Sequence, residues 1–379
     1  MLNLGLSSED LKKFEMSLYT GYDLKIVAQV LDLNHRYLAD VSTMLLDGQV
    51  NYSYTDPINY TASMILLDPD ELIGFDSSSP SDGALYADRM IRLVYCVYSE
   101  LLPRWVDVPI FCGPVSKVSR NDALLSVACK GKEALTSKPS VAWIAKTYKK
   151  GTKGAVAIKD IMTIHGETKF DIPNETYVFG MDHVLSTETA VWEFAQGMKG
   201  TTRQLFYDGR GVLRLRDIPS QPSWTFTEPT LLNVPNLDYN HDDIRNGAFV
   251  KGATPLGKKQ LLASRFLPTA DPSNPVALGR TNAPRRLMEI VEDSTLTSQA
   301  AVNSAADKLL ELVGKTNVGF DFDSFTIPHL EPGDVFQLAT RDVSIPIRLM
   351  AYSIPLKAGA QTNGAIKKIS GIAAKMRNR

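Results

Sequence analysis

Residues 45–69 of the chain, LLDGQVNYSYTDPINYTASMILLDP, decide its fold class. One run of alternating apolar and polar residues starts at Val50, and a second extends from Tyr60 to Leu66. Alternation with a period of two is typical of strands that bury one face. Asp47-Gly48 is a pair that favours tight turns, so we expect a hairpin turn there. The stretch predicts antiparallel β structure.

Similar alternation lies on both sides of this stretch. Strands are predicted at residues 22–30, 91–97, 108–118 and 125–129, with Cys112-Gly113-Pro114 breaking the third of these runs. Six or seven strands at this spacing suggest a barrel or sandwich over residues 21–138. Residues 7–19 predict a helix in an N-terminal arm, 1–20, with Ser7 and Asp10 as a capping box.

The pattern changes near Pro139, where helical spacing replaces strand alternation. Helices are predicted at residues 141–148, 156–165 and 187–198, the last with Ser186-Thr187 as its N-cap. Residues 205–215 predict a hairpin that turns at Asp208-Gly209-Arg210-Gly211. Residues 139–222 therefore predict a smaller, mixed α+β domain.

Strand patterns return in residues 223–356, with strands predicted at 248–251, 260–266, 318–327, 335–339 and 346–354. Residues 269–284 predict a long loop. Apolar residues from Val302 to Val313 recur at helical spacing, and Gly314 follows them, which predicts one helix at 297–313. The chain is therefore predicted to be mainly β, with an α+β insertion between two β-rich regions.

The composition excludes several classes of protein. Of the 379 residues, 44% are hydrophobic and 22% are charged, which is typical of globular domains and excludes disordered, collagen-like and coiled-coil chains. The formal net charge of −1 gives no general attraction to nucleic acid. No apolar run is long enough to span a membrane. We expect no signal peptide, because residues 1–6 lack a basic start followed by an apolar stretch.

The sequence carries no recognisable catalytic motif. Cys96, Cys112 and Cys129 form no Cys-x-x-Cys pair, which argues against a disulfide framework or a zinc site and indicates folding in a reducing cytosol. The motifs of zinc proteases, nucleophile elbows and phosphate-binding loops are missing. We predict that the chain is not an enzyme and has no cofactor.

One polar group is dense enough to consider as a metal site. Asp238, His241, Asp242 and Asp243 could provide oxygen and imidazole ligands for a divalent cation. Their spacing matches no known metal-binding loop, so a solvated loop is the favoured interpretation. Paired carboxylates elsewhere could serve glycoside hydrolysis, but charged turns and strand faces explain them more simply.

The C-terminal tail, residues 357–379, is basic. No acidic residue follows Asp342, and the isoleucines of the tail recur at near-helical spacing. This pattern predicts an amphipathic segment that docks on a partner protein, with a solvated tail and a nucleic-acid or lipid contact as alternatives. The residues expected to dock are Lys367, Lys368, Ile369, Lys375, Met376 and Arg377.

Four segments, in this order, resemble one protein family. They are DGQVN to MILLDP (47–69), VPIFCGPV (108–115), FYDGRGVLRLR (206–216) and PHLEPGDV (328–335). The series is similar to the tail-tip, or baseplate, hub proteins of long-tailed bacteriophages, and it extends over residues 40 to 356. Each motif is degenerate by itself, so the order of the four is the specific part of the resemblance.

The resemblance implies a structural role in the virion. Such hubs contain two β-barrel domains of the tail-tube type with a smaller domain between them. As a homotrimer they present six barrels to a hexameric tail tube and surround the DNA channel. The implied partners are the tail tube or distal tail protein, the tape measure protein and other tail-tip proteins. DNA would pass only transiently, and assembly would take place in the host cytoplasm without membrane insertion.

Two other classes of function remain open at this point. One is a carbohydrate-binding adhesin, although the four tryptophans are scattered along the sequence. The other is a metal-dependent hydrolase that would use the group around His241.

Overall fold

A computed structural model describes residues 1–69, 85, 88–138, 145–174, 177–186, 188–200, 203–233, 235–239, 245–255, 257, 259–268, 286–293, 296–313, 318–341, 344–356 and 366–373. Over these residues the chain is mainly β. Its helices are α1 (Ser8–Thr20), α2 (Gly154–Ile164), α3 (Val191–Met198) and α4 (Gln299–Val313).

The strands of the first β-rich region are β1 (Asp23–Asp32), β2 (Tyr37–Asp40), β3 (Leu45–Ser53), β4 (Tyr60–Leu67), β5 (Arg89–Ser99), β6 (Leu102–Asn121) and β7 (Leu124–Lys130). Those of the middle region are β8 (Lys146–Tyr148), β9 (Phe170–Asp171), β10 (His183–Leu185), β11 (Arg203–Tyr207) and β12 (Leu213–Asp217). Then follow β13 (Trp224–Thr227), β14 (Asn236–Tyr239), β15 (Gly247–Lys251), β16 (Leu262–Phe266), β17 (Met288–Glu292), β18 (Val318–Phe325), β19 (Val335–Ala339), β20 (Ser344–Pro355) and β21 (Ile366–Ala373).

A thirteen-stranded sheet joins the two β-rich regions. Its order is β14-β18-β21-β20-β3-β4-β7-β6-β5-β1-β2, with β13 and β19 attached at β20. The junction is the antiparallel pair of β3 and β20, in which Tyr52 lies opposite Tyr352. Tyr60 on β4 extends this aromatic row, with ring centroids 4.9 Å apart at each step. One hydrophobic core contains residues from both regions.

The alternation in the sequence produces the two faces of this sheet. On β4, Tyr60, Ala62, Met64 and Leu66 are buried, and the residues between them are exposed. The predicted strands at 22–30, 91–97 and 125–129 are also present, as β1, β5 and β7. The predicted N-terminal helix is α1, where the Ser7 side chain accepts a hydrogen bond from the backbone N–H of Asp10.

Two predicted interruptions of strands were wrong. Asp47-Gly48 lies inside β3 at an irregularity of register, and β6 runs through Cys112-Gly113-Pro114. Both glycines permit close approach of a neighbouring chain: a Cβ on Gly48 would lie 2.4 Å from the carbonyl oxygen of Ser63, and one on Gly113 would lie 2.0 Å from that of Lys130. Strand pairing on both sides therefore overrode the local turn preference.

The middle region contains α2, α3 and two small sheets, and its core is separate from that of the large sheet. The predicted helix at 141–148 was wrong for 146–148, which form β8 and pair with β10; residues 141–144 lie outside the described residues. The predicted start of α3 at residue 187 was also wrong, because the helix begins after Ala190. The backbone N–H of Trp192, in the first turn, donates to the carbonyl of Thr136 and so ties the start of the helix to the preceding segment.

The described residues between 247 and 313 form a second small unit. The sheet β16-β15-β17 packs on α4 through Val250, Ala263, Val302 and Ala306. The helix predicted at 297–313 is confirmed as α4, whereas Gly314 and the predicted loop at 269–284 lie outside the described residues. The domain boundaries and the closure of two barrels stay predictions.

The predicted helical character of the tail was wrong for residues 366–373, and the rest of the tail lies outside the described residues. Residues 366–373 form β21, which pairs with β18 on one side and β20 on the other. Ile366, Ile369 and Ile372 are β-branched and Gly371 disfavours helix, so local preference and the available sheet edges agree on a strand. Among the described helices, none is long and apolar enough to cross a membrane.

Candidate functional site

The β11–β12 hairpin connects the middle region to the large sheet. Its tip lies on β6: a Cβ on Gly209 would lie 2.1 Å from the carbonyl oxygen of Pro109, and one on Gly211 would lie 3.0 Å from Sγ of Cys112. Asp208 fixes the turn by accepting hydrogen bonds from the backbone N–H groups of Arg210 and Val212. The two glycines thus let the tip reach the sheet, and the predicted hairpin is confirmed.

A buried ion pair lies beside this tip. Nζ of Lys132 lies 2.7 Å from Oε2 of Glu167, and both side chains are 4% exposed. The same ammonium group donates to the carbonyl of Gly211 at 3.1 Å and lies 3.2 Å from Nε2 of His35. Buried charges are tolerated when they are paired in this way, so the group holds the large sheet, α2 and the hairpin together.

A second ionic group holds the other end of the hairpin. Arg214 and Arg216 of β12 both donate to Glu331, which is buried in the turn before β19. Arg216 also lies 3.2 Å from Asp334. Since the arginines belong to the middle region and the carboxylates to the second β-rich region, this group connects those two regions.

The thiols are unsuited to nucleophilic chemistry. Burial raises the pKa of Cys112 to about 11 and that of Cys96 to about 12, and it also raises the pKa of Cys129. Sγ of Cys112 lies 3.8 Å from Nδ1 of His35. Burial, together with the charge of Lys132, lowers the pKa of this histidine to about 4. Both groups are therefore neutral at pH 7 and form no thiolate–imidazolium pair.

The structure places only part of the predicted metal group. Asp238 lies on β14, and His241, Asp242 and Asp243 lie outside the described residues. In the part of the chain that the structure describes, no three histidine, cysteine, aspartate or glutamate residues are grouped closely enough to hold a metal ion.

The predicted docking residues are also only partly described. Lys367, Lys368 and Ile369 lie on β21, where the strand is paired along both edges within the chain. Lys375, Met376 and Arg377 lie outside the described residues. Docking through these residues stays a prediction.

The exposed face of the large sheet is mostly polar where β20, β3, β4, β7 and β6 lie side by side. Asp47, Lys117 and Lys130 are its exposed charged residues there, and Ile65, Leu67 and Leu124 are exposed apolar residues toward one end. One row across these strands consists of Ser353, Asn51, Thr61 and Lys130, and the next contains Gln49, Ser63, Ala128 and Lys117. A groove of about 470 Å³ follows this face. The strand alternation predicts such a face, but its width across both β-rich regions depends on the long-range pair of β3 and β20.

No family model and no curated protein sequence matches the chain. Solved structures do match it. The tail protein from Neisseria meningitidis MC58 has a TM-score of 0.59 at 12% identity, over 92% of this chain and 96% of that one. The chain has the fold of phage tail proteins.

Two further structures share this tail-protein fold. The 43 kDa tail protein of prophage MuSo2 from Shewanella oneidensis gives a TM-score of 0.57 at 10% identity, over 92% of this chain and 98% of that one. A prophage tail protein from Listeria monocytogenes EGD-e gives 0.51 at 10% identity, over 92% and 94%. At such identities the likeness shows the fold, and residue roles have to be argued from the chain itself.

Proposed function

We propose that this chain is a structural protein of a phage tail, in which three copies form the hub that joins the tail tube to the distal tip. The observation that carries the proposal is the shared fold over more than nine tenths of both this chain and the Neisseria tail protein. A ring of identical subunits requires two different surfaces that fit each other. The large sheet offers two different ends, at β14 and β2.

The exposed face of the large sheet is the surface that we assign to the DNA channel. Serine, threonine, asparagine and glutamine side chains can exchange hydrogen bonds with water and phosphate. Asp47 lies in the same groove as Lys117 and offsets part of the positive charge of the face, which limits its attraction for phosphate. Such a face would contact DNA weakly, which suits a channel through which DNA must slide. The expected partners are the tail tube or distal tail protein, the tape measure protein and other tip proteins.

We propose a non-enzymatic role in the virion. The buried charges described above are paired across regions of the chain, and the thiols are protonated at neutral pH, so these groups serve stability better than catalysis. The β11–β12 hairpin is fixed at two places, by its tip on β6 and by Arg214 and Arg216 on Glu331. These two anchors suit a protein that has to transmit force without changing shape.

Light scattering and negative-stain images of the purified chain test the oligomer. We expect particles of three 41.8 kDa chains with a central hole, formed either alone or on addition of tail-tube protein. A chain that remains monomeric in the presence of tube ends would contradict the hub proposal.

Substitutions on the sheet face test the assignment of the channel. Ser63→Glu should leave the trimer intact if this face lines the hole, while dissociation of the trimer would show that the face is a subunit interface. Thr147→Glu, at an exposed position of β8, is the matched control.

Docking through the basic tail has to be tested by substitution and not by deletion of the tail. Removing residues 357–379 would also remove β21 from between β18 and β20, so that loss of assembly could reflect loss of the fold. The double substitution Lys375→Glu and Arg377→Glu leaves the strand in place. If these residues dock a tail protein, incorporation into virions should fall; unchanged incorporation would contradict docking at these positions.

One observation favours a second candidate, a carbohydrate-binding module. Trp105 is 49% exposed, and its ring lies 5.6 Å from that of Tyr98. Exposed aromatic pairs of this kind can stack on sugar rings. Glycan-array binding that is lost in Trp105→Ala would support the adhesin, and an array without binding would remove it.

A further inference from the structure

A cavity of about 500 Å³ lies between the large sheet and the middle region. One wall is the β3–β4 loop with Asp56 and Pro57, and the other wall is formed by α3 and the start of β11. The two walls are joined by the indole N–H of Trp192, which donates to the carbonyl of Pro57 at 2.9 Å. The volume lies within the range of about 300–1,000 Å³ that is typical of small-molecule sites.

Lys199 provides an incompletely neutralised positive charge in this cavity. Its Nζ donates to Oε1 of Gln196 at 2.8 Å, and the amide of Gln196 is fixed in turn by a hydrogen bond to the carbonyl of Leu205. Among the residues that the structure describes, no carboxylate forms a salt bridge with Lys199. Desolvation by burial lowers the pKa of this lysine, and an oxyanion beside Nζ would compensate for the lost solvation.

A second cation lies on the same side of the cavity. Arg203, whose side chain is 18% exposed, lines the cavity, and its guanidinium group lies over the ring of Tyr177 at 5.1 Å. Its Nε is 3.6 Å from a carboxylate oxygen of Asp217, which is 85% exposed and therefore well solvated. Two cationic side chains on one wall therefore line the cavity.

The other residues that line the cavity restrict which anions can bind there. Trp192, Leu205 and Ala190 are buried behind the lining, so Tyr54 and Pro57 give the accessible apolar wall surface. Asp56 and Glu193 are exposed carboxylates at the opening. Two carboxylates at the opening would repel a polyanion such as DNA. A ligand with one negative charge and an apolar body is repelled much less than a polyanion.

We propose that this cavity binds a small organic carboxylate, with the carboxylate group on Lys199 and the apolar part against Tyr54 and Pro57. The site is independent of the hub proposal, since it requires only the contact between the middle region and the large sheet. It gives a small metabolite a place to bridge these two parts of the chain.

Saturation-transfer NMR on the full chain tests the proposal, with benzoate as the probe and benzamide as its uncharged counterpart. We expect saturable benzoate binding with a dissociation constant of about 1 mM or below, and benzamide binding at least about tenfold weaker. Failure of benzoate to saturate by about 10 mM, or equal binding of benzamide, would overturn the proposal.

Variants locate the binding in the cavity. Lys199→Met should weaken benzoate binding by about tenfold, and Lys199→Arg should retain it. Lys150→Met, at an exposed position outside the cavity, is the matched control. Should the Met variant fail to fold, Glu193→Gln still locates the site, because removal of an exposed carboxylate from the cavity lining should strengthen benzoate binding, and unchanged binding would refute the assignment. Unchanged binding in folded Lys199→Met would place the site elsewhere and refute the assignment.

Discussion

Glu133 is fully buried, and its replacement by glutamine should remove a loss of unfolding free energy that the natural chain undergoes as the pH rises. The residue lies in the 3-10 turn Lys132–Leu135, which follows β7. Burial raises its pKa from 4.5 to about 7. Backbone amides of Tyr207 and Asn59 offset part of this effect, but neither carboxylate oxygen has a partner in hydrogen-bond geometry among the described residues.

The magnitude follows from the difference between the folded and unfolded pKa values. In the unfolded chain the carboxyl group loses its proton near pH 4.5, while in the folded chain it keeps the proton until about pH 7. Its contribution to stability is therefore fully present below pH 4.5 and is lost as the pH rises to about 7. A difference of this size corresponds to about 3 kcal/mol of unfolding free energy.

Urea unfolding of Glu133→Gln and of the natural chain, followed by tryptophan fluorescence at pH 5 and pH 8, measures this contribution. The variant should gain stability relative to the natural chain on going from pH 5 to pH 8, by an amount on the order of 3 kcal/mol. Protonation of His35 affects both proteins equally, so it cancels in the comparison.

Glu193→Gln is the matched control, because Glu193 is exposed and its substitution should have the same small effect at both pH values. If the difference between Glu133→Gln and the natural chain is the same at pH 5 and pH 8, then the carboxyl group is not held protonated by burial and the reasoning is wrong.

Three further substitutions test other contacts of the fold by thermal unfolding. Gly209→Ala should cost about 2 kcal/mol or more, since the new Cβ would meet the backbone of Pro109; an unchanged melting temperature would show that the hairpin tip is not seated on β6. Glu331→Gln should cost about 2 kcal/mol, because the half-buried Arg214 and Arg216 each lose one of two carboxylate partners; a smaller loss in high salt than in low salt is the expected signature. Ser7→Ala should cost about 1 kcal/mol through loss of the cap of α1, and Ser7→Asp should restore it.

The strands were predictable because their signal is local. Alternation over a few residues fixes which face of β4 is buried, and no distant information is needed to recognise it. The same holds for α4, whose apolar residues repeat at helical spacing, and for the hairpin at Asp208-Gly209-Arg210-Gly211.

The failures come from interactions between distant parts of the chain. Asp47-Gly48 has the local preference of a turn, but β4 and β20 pair along both edges of β3 and keep the chain extended. The isoleucines of the tail recur every three residues, which is close to helical spacing, but pairing with β18 and β20 makes the segment a strand.

The polar groups of the candidate site could not be predicted either. Arg214 and Glu331 are 117 residues apart in sequence, and neither has a neighbour that marks it as one half of a pair. The same is true of Lys132 and Glu167, which carry no motif. Gly209 and Gly211 were the one signal in the sequence that pointed to this contact. A Gly-x-Gly that does not lead into a helix is not a phosphate-binding loop, and in this chain the two glycines are needed because the hairpin tip lies close to β6.

The two anchors of the β11–β12 hairpin lead to a mechanical consequence. The tip is seated on β6 of the first β-rich region, while the arginines of β12 bind carboxylates of the second. These regions are also joined directly by β3 and β20. A displacement of the middle region would therefore have to break buried ion pairs in one region and close backbone packing in the other at the same time. Such a closed loop of contacts makes the middle region part of one stiff structure, which is the property that the proposed junction between a tube and a tip would require.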